Sequence, residues 1–114
     1  MADVQNWSTI ERVVLRKGVS RRVFSGKKSM MVLNEIAPGT TPPNTHSHPH
    51  EQLVYIVQGE GNFVLGDETL AMKAGDLLVV PPNVPHTFKN TGSQACLNLD
   101  IFSPIRDDYL PPQK

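Results

Sequence analysis

Prolines and glycines interrupt this chain every few residues, ten and eight of them in 114 positions, so no segment is left long enough to sustain a helical period. Between the interruptions lie short runs rich in Val, Leu, Ile, Phe and Thr, the composition of β-strands. Eight strands are expected, near Arg12 to Arg16, Arg21 to Phe24, Met30 to Ile36, Gln52 to Val57, Gly61 to Leu65, Leu77 to Val80, His86 to Asn90 and Cys96 to Phe102. Turns fall at Ser25-Gly26, Pro38-Gly39, Gln58-Gly59, Gly66-Asp67, Ala74-Gly75, Pro81-Pro82-Asn83 and Asn90-Thr91-Gly92, where Gly and Asn supply the positive φ that tight turns need. Many short strands with even turn spacing predict an all-β sandwich or barrel. A chain of this length builds one core, so a single domain over 1–114 is expected, with a barrel core over about 28–103 and a Pro-rich tail over 104–114 in which Pro111-Pro112 is extended.

Charge narrows the partners. Eleven Lys and Arg balance eleven Asp and Glu, which leaves no broad electrostatic footprint for a nucleic acid or an anionic membrane. No apolar run approaches the roughly 18 residues of a membrane span. Met1 to Glu11 lacks the basic-then-apolar pattern of a secretory signal, so a cytoplasmic location is expected. A single cysteine, Cys96, forms no intramolecular disulfide and no thiolate cluster, so any metal must find other ligands.

Those ligands are concentrated. His46, His48 and His50 lie in Thr45-His46-Ser47-His48-Pro49-His50-Glu51-Gln52, and the fourth histidine, His86, follows Pro85. Alternate side chains of an extended chain share a face, which lets His46, His48 and, once a strand resumes after Pro49, Gln52 converge, with His86 closing the site from another strand. Three imidazoles and one amide oxygen make a ligand set for a divalent transition ion such as Zn, Ni, Mn, Fe or Co. Glu51, one position off, points to the opposite face. The competing reading of the same segment is a polar loop with its histidines in water.

The spacing resembles that of the cupins. Gly39, His46-x-His48, Gln52 and Gly59 are similar to the first cupin motif, and Gly75-x5-Pro81-x-Asn83-x2-His86-x3-Asn90 to the second, with 15 residues between them. The resemblance implies the double-stranded β-helix, a jelly-roll barrel. Two departures stand out: six residues rather than five precede His46, and Asn83 replaces a usual glycine, which Asn tolerates because it enters the left-handed region readily. Gln52 stands where many cupins have glutamate. A neutral amide beside three imidazoles leaves the ion its full charge, which favours Lewis-acid chemistry on an anionic substrate over a redox centre.

The last strand alternates two kinds of residue. Leu97, Leu99 and Ile101 share one face and read as hydrophobic packing, whereas Cys96, Asn98, Asp100 and Phe102 share the other, odd for a barrel interior unless it holds a polar ligand. The pattern Asp100-x-Phe102-x-Pro104-x-Arg106 after the second motif is similar to that of the pectin-degradation cupins, which open 4,5-unsaturated uronates to linear keto acids. That resemblance implies that His46, His48, Gln52 and His86 hold the metal, Asp100 transfers a proton, Arg106 binds the sugar carboxylate and Phe102 lines the pocket. Competing readings on the same scaffold are an iron dioxygenase, a non-catalytic sugar- or effector-binding cupin and a metal-free barrel. A homodimer is expected, with the N-terminal segment Arg12 to Phe24 offering an edge for pairing, and Arg21 and Arg22 solvated or interfacial.

Overall fold

The computed structural model describes residues 3–40 and 44–110. Nine strands are formed among them: β1 (Val13–Arg16), β2 (Val19–Ser25), β3 (Met30–Ile36), β4 (Glu51–Gln58), β5 (Glu60–Leu65), β6 (Glu68–Lys73), β7 (Leu77–Val80), β8 (His86–Asn90) and β9 (Cys96–Ser103). A six-stranded sheet runs β1-β2-β3-β9-β4-β7 and a three-stranded sheet runs β6-β5-β8, with all pairs antiparallel. The two antiparallel sheets and the near absence of helix fit the double-stranded β-helix that the sequence resemblance implies.

Alternation sets what each strand buries. Along β4 the buried positions are Gln52, Val54 and Ile56, and along β9 they are Cys96, Asn98, Asp100 and Phe102. One end of the interior is apolar, with Val54, Ile56, Phe63, Met72, Val80 and Cys96 in a single cluster. A second cluster of Met30, Val32 and Phe102 fills the other side. Burial pushes the Cys96 thiol up to about 11, so it is an inert packing residue.

Two features depart from the sequence expectation. Strand β6 was not expected, because Glu, Ala and Lys are poor strand formers and only Met72 among its residues is buried. It forms because the Gly66-Asp67 turn, with Gly66 at φ 57°, folds it onto β5 in six successive pairs from Leu65↔Glu68 to Glu60↔Lys73. The segment after Pro104 is not a loose tail: Asp107–Tyr109 forms a 3-10 turn, and Ile105, Tyr109 and Leu110 pack on the Phe102 cluster. Pro111-Pro112 lies outside the described residues. The polar face of β9 is the interior, where the resemblance places Asp100 and Phe102, and Leu97, Leu99 and Ile101 stand half-buried on the outer face. Asn83 sits at φ 67°, the left-handed conformation expected of it.

Candidate metal centre

Backbone pairing brings the histidines together. His46 and His86 exchange both backbone hydrogen bonds, His46 N–H donating to His86 C=O at 3.1 Å and His86 N–H to His46 C=O at 2.9 Å. The Pro81-Pro82-Asn83 turn donates Asn83 N–H to the His48 carbonyl at 2.7 Å, which ties the His48 loop to the start of β8. Ring centroids then lie 4.5 Å apart for His46 and His86 and 4.9 Å for His48 and His86. One nitrogen from each of the three lies within 4.8 Å of the others, so His46, His48 and His86 form a candidate metal site.

The chemistry of these nitrogens fits a cation. His48 Nδ1 donates to the His50 carbonyl at 3.0 Å and His86 Nδ1 to the Val84 carbonyl at 2.9 Å, which leaves each Nε2 as a lone pair. His86 Nε2 is buried without a hydrogen-bond partner. His48 Nε2 faces Gln52 Oε1 at 3.1 Å, so two acceptors meet, an arrangement that a shared positive ion relieves. Burial holds the pKa of all three imidazoles below the ordinary histidine value, aided at His46 and His48 by the charge of Arg106 and the neighbouring His86, so they remain neutral ligands. Gln52 is buried at the start of β4 while Glu51 is exposed. His50 accepts from His48 through its carbonyl; its half-buried ring stands 5.5 Å from the His48 ring and 6.4 Å from that of Phe102 but is not one of the three imidazoles whose nitrogens converge.

Next to the histidines stands a buried carboxylate. Asn34 Nδ2 donates to Asp100 Oδ2 and Asn98 Nδ2 to Asp100 Oδ1, each at 2.8 Å, and the Gln52 side chain adds a further hydrogen bond. Register explains the cluster, since Asn34 pairs with Asn98 across β3 and β9 while Asp100 lies one inward-facing step further along. Burial raises the Asp100 pKa to about 6 against these donors and the nearby Arg106, which all favour the charged form. The Asp100 carboxyl is therefore held in an environment that favours its protonated form relative to an ordinary aspartate. His46, Gln52, His86, Asn98, Asp100 and Phe102 all line one cavity of about 300 Å³.

Arg106 is not an exposed tail charge. Its side chain is 12% exposed, and Nε and Nη2 donate to both carboxylate oxygens of Asp108 at 3.1 and 2.8 Å. Its guanidinium lies 4.2 Å from the Tyr109 ring centre and 5.4 Å from that of Phe102. Arg16, Arg21, Asn34 and Tyr109 line the cavity and were not read as site residues from sequence, Arg21 being expected in solvent or an interface and Tyr109 in a tail. Arg21 was legible from parity, since Val19, Arg21 and Val23 share one face of β2, whereas the turn that seats Tyr109 has no clear sequence signal. Arg22 faces elsewhere, with Nε donating to the Ile10 carbonyl at 3.1 Å.

The cupin-domain family model matches residues 32–102, so this chain belongs to the cupins. Within that family it is similar to the pectin degradation protein KdgF of Dickeya dadantii, at 31% identity over 100 residues that cover 84% of this chain and 87% of that protein. The solved structure of KdgF from Halomonas sp. superposes with a TM-score of 0.86 at 25% identity, covering 96% of this chain and all of that one. H2HPP isomerase of Bacillus subtilis is 35% identical over 72 residues, which are 59% of this chain but 30% of that protein. No helix among the described residues is long and apolar enough to cross a membrane.

The Gln52 environment makes its own prediction. The Gln52→Glu variant should retain the metal, because a carboxylate oxygen replaces the amide oxygen and adds charge attraction, yet turn over more slowly because the ion loses Lewis acidity. It also sets a second carboxylate against Asp100, so its metal-free form should melt below the metal-free parent at pH 8. Metal analysis, turnover and thermal melting check this, and equal turnover at full occupancy would refute the role of a neutral ligand.

Proposed function

We propose that this cupin is a metal-dependent enzyme that opens 4,5-unsaturated uronate monosaccharides to linear keto acids. The observation that carries this reading is the pairing of a three-histidine site with a buried carboxylate: His46, His86 and Asp100 line one cavity, and two asparagines hold the carboxylate there. His46, His48, His86 and Gln52 would hold a divalent transition ion, which supplies positive charge to polarise a substrate oxygen. The reaction is an isomerisation and needs no co-reactant. A proton leaves the anomeric hydroxyl, the bond between that carbon and the ring oxygen breaks, the ring oxygen becomes a ketone, and the far carbon of the double bond takes up a proton. Asp100 carries the proton from oxygen to carbon, with Asn34 and Asn98 holding its carboxylate in place. Phe102 forms an apolar wall beneath the sugar, and Arg106, whose charge acts on Asp100 and the three histidines, binds the sugar carboxylate through Nη1, which Asp108 leaves free. The test is loss of the ultraviolet absorbance of the conjugated double bond in a lyase-generated unsaturated uronate, with metal content measured in parallel. A fully metal-loaded protein inactive on every such uronate would overturn the reading, and oxygen consumption with bound iron would replace it by the dioxygenase one.

The functional unit is proposed to be a homodimer in the cytoplasm. The outer face of β7, β4 and β9 is apolar, with Leu77 76% and Val79 51% exposed beside Leu53 and Tyr55, their register partners on β4. Such a continuous patch on a small domain is covered by a partner of the same shape in a two-fold pair. The Leu77→Lys/Val79→Lys double variant should therefore sediment at half the mass of the parent while keeping its metal. A parent that sediments as a monomer at micromolar concentration would exclude the dimer.

A further inference from the structure

Net charge is zero, but the charges are unevenly placed. Seven of the eleven Lys and Arg residues fall between Arg12 and Lys28, and no Asp or Glu lies between 12 and 34. This basic segment is the hairpin of β1 and β2, and it stands at the mouth of the cavity. Gln52, Asn98, Asp100 and Phe102 form a buried floor, whereas Leu15, Arg16 and His46 are the exposed members of the lining among the described residues. A ligand bound for the histidines therefore enters between the hairpin and the His46 loop.

A bulge aims Arg16 at that mouth. The register of β1 on β2 runs Val13↔Arg21, Val14↔Ser20 and then Arg16↔Val19, which leaves Leu15 as an extra residue. Strict alternation would send Leu15 and Arg16 to opposite sides, yet both line the cavity. Arg21, deeper on the same hairpin, is the other arginine of the lining, and its Nε is buried without a hydrogen-bond partner. Against these two cations stands one lining carboxylate among the described residues, Asp100 at the floor. Arg12 and Lys17 on either side of Arg16 are exposed and add to the same field. Charges of one sign around a cleft with low-dielectric walls focus their field along it and raise the local concentration of opposite charges. We infer that the β1–β2 hairpin is a charge-selective entrance, with Arg16 at its lip, that draws small anionic ligands into the cavity in preference to neutral ones of the same shape. The inference rests on the reading of the cavity as a site for a carboxylate-bearing sugar and leaves Arg106 to hold the acid group. It assigns the selection to a hairpin that precedes residues 32–102, the part matched by the cupin-domain model.

The experiment measures calorimetric binding of D-galacturonate and its neutral counterpart D-galactose to the metal-loaded protein at about 0.01 M and about 1 M salt, where charges act over about 30 Å and about 3 Å. The Arg16→Gln/Lys17→Gln double variant removes two charges from the entrance. Lys73→Gln/Lys89→Gln removes two from exposed positions on β6 and β8 and controls for net charge. The parent should prefer galacturonate to galactose at low salt. The entrance variant should bind galacturonate about 5- to 20-fold more weakly than the parent at low salt and near the parental level at high salt, with galactose binding, metal content and sedimenting mass unchanged. The control should bind as the parent does. The same salt-dependent loss should appear in kcat/KM for the unsaturated uronate, and a parent that turns over no uronate overturns only the proposed reaction, because the binding measurements still decide the inference. Four results would each overturn it: a parent without preference for the acid, galacturonate bound equally by parent and entrance variant, an equal loss in the control, or a loss undiminished at high salt. A change of mass in the entrance variant would overturn it too, by making the hairpin an interface between copies of this chain.

Discussion

Replacing His48 by alanine should lower the metal content of the purified protein from about one divalent ion per chain to a small fraction of that, and turnover should fall with it. His48 is buried, its Nδ1 is fixed by the His50 carbonyl, and its Nε2 is aimed at the point that Gln52 Oε1 and His86 Nε2 also face. Loss of an outer partner of a ligand costs about 10- to 100-fold in metal affinity, and loss of the ligand itself should cost more. His50→Ala is the matched control: His50 acts through its backbone carbonyl, which alanine retains, so metal content should stay near the parental level. Elemental analysis of the three proteins decides the assignment. Unchanged metal in His48→Ala, or equal loss in both variants, would refute the ligand set.

The second large effect is expected at Asp100. Asp100→Asn is nearly isosteric and should keep the fold and the metal, yet lower kcat by about 10²- to 10⁴-fold, the range for a lost proton-transfer group. If Arg106 and Asp100 play the roles proposed, Arg106→Met should act chiefly on KM instead, so the two variants separate kinetically. Asp100 also predicts a pH dependence in the metal-free protein. Its folded pKa of about 6 exceeds the ordinary 3.8, so the folded state binds a proton more tightly than the unfolded chain. Stability from that proton is fully present below pH 3.8 and is lost as pH rises through 6, a change on the order of 3 kcal/mol. The three depressed histidines act in the opposite sense, destabilising the fold as pH falls below their ordinary value, and they are common to both proteins. Subtracting the metal-free parent from metal-free Asp100→Asn isolates Asp100: the variant should gain relative stability between pH 4 and pH 8. A difference flat with pH would show that the carboxyl is not held in a costly environment, and undiminished turnover would exclude it from the reaction.

The candidate metal centre was readable in sequence because its determinants are short motifs. His46-x-His48 and Gln52 share a face by simple alternation, and His86 follows a proline-rich turn whose Asn83 adopts the left-handed φ of 67° that the turn demands. The contact between Arg21 and Tyr109 was missed for a different reason. They are 88 positions apart, and their contact at 3.8 Å depends on a short turn after Pro104 folding back over the barrel mouth, an arrangement without periodicity to betray it. Strand β6 was missed because its own composition argues against it and only pairing with β5 makes it a strand.

Alternation determines from the sequence alone which residues of β9 stand together: Leu97, Leu99 and Ile101 on one side, Asn98, Asp100 and Phe102 on the other. It does not determine which side is inside. Hydrophobicity favours burying the leucines, and the structure does the opposite, leaving them half-exposed while Asn98 and Asp100 are buried. The physical reason lies in the neighbours that closure supplies. Only when β3 and β4 flank β9 do Asn34 and Gln52 reach the Asp100 carboxylate, and those donors offset the cost of burying it, which is a property of three strands in register and of none by itself.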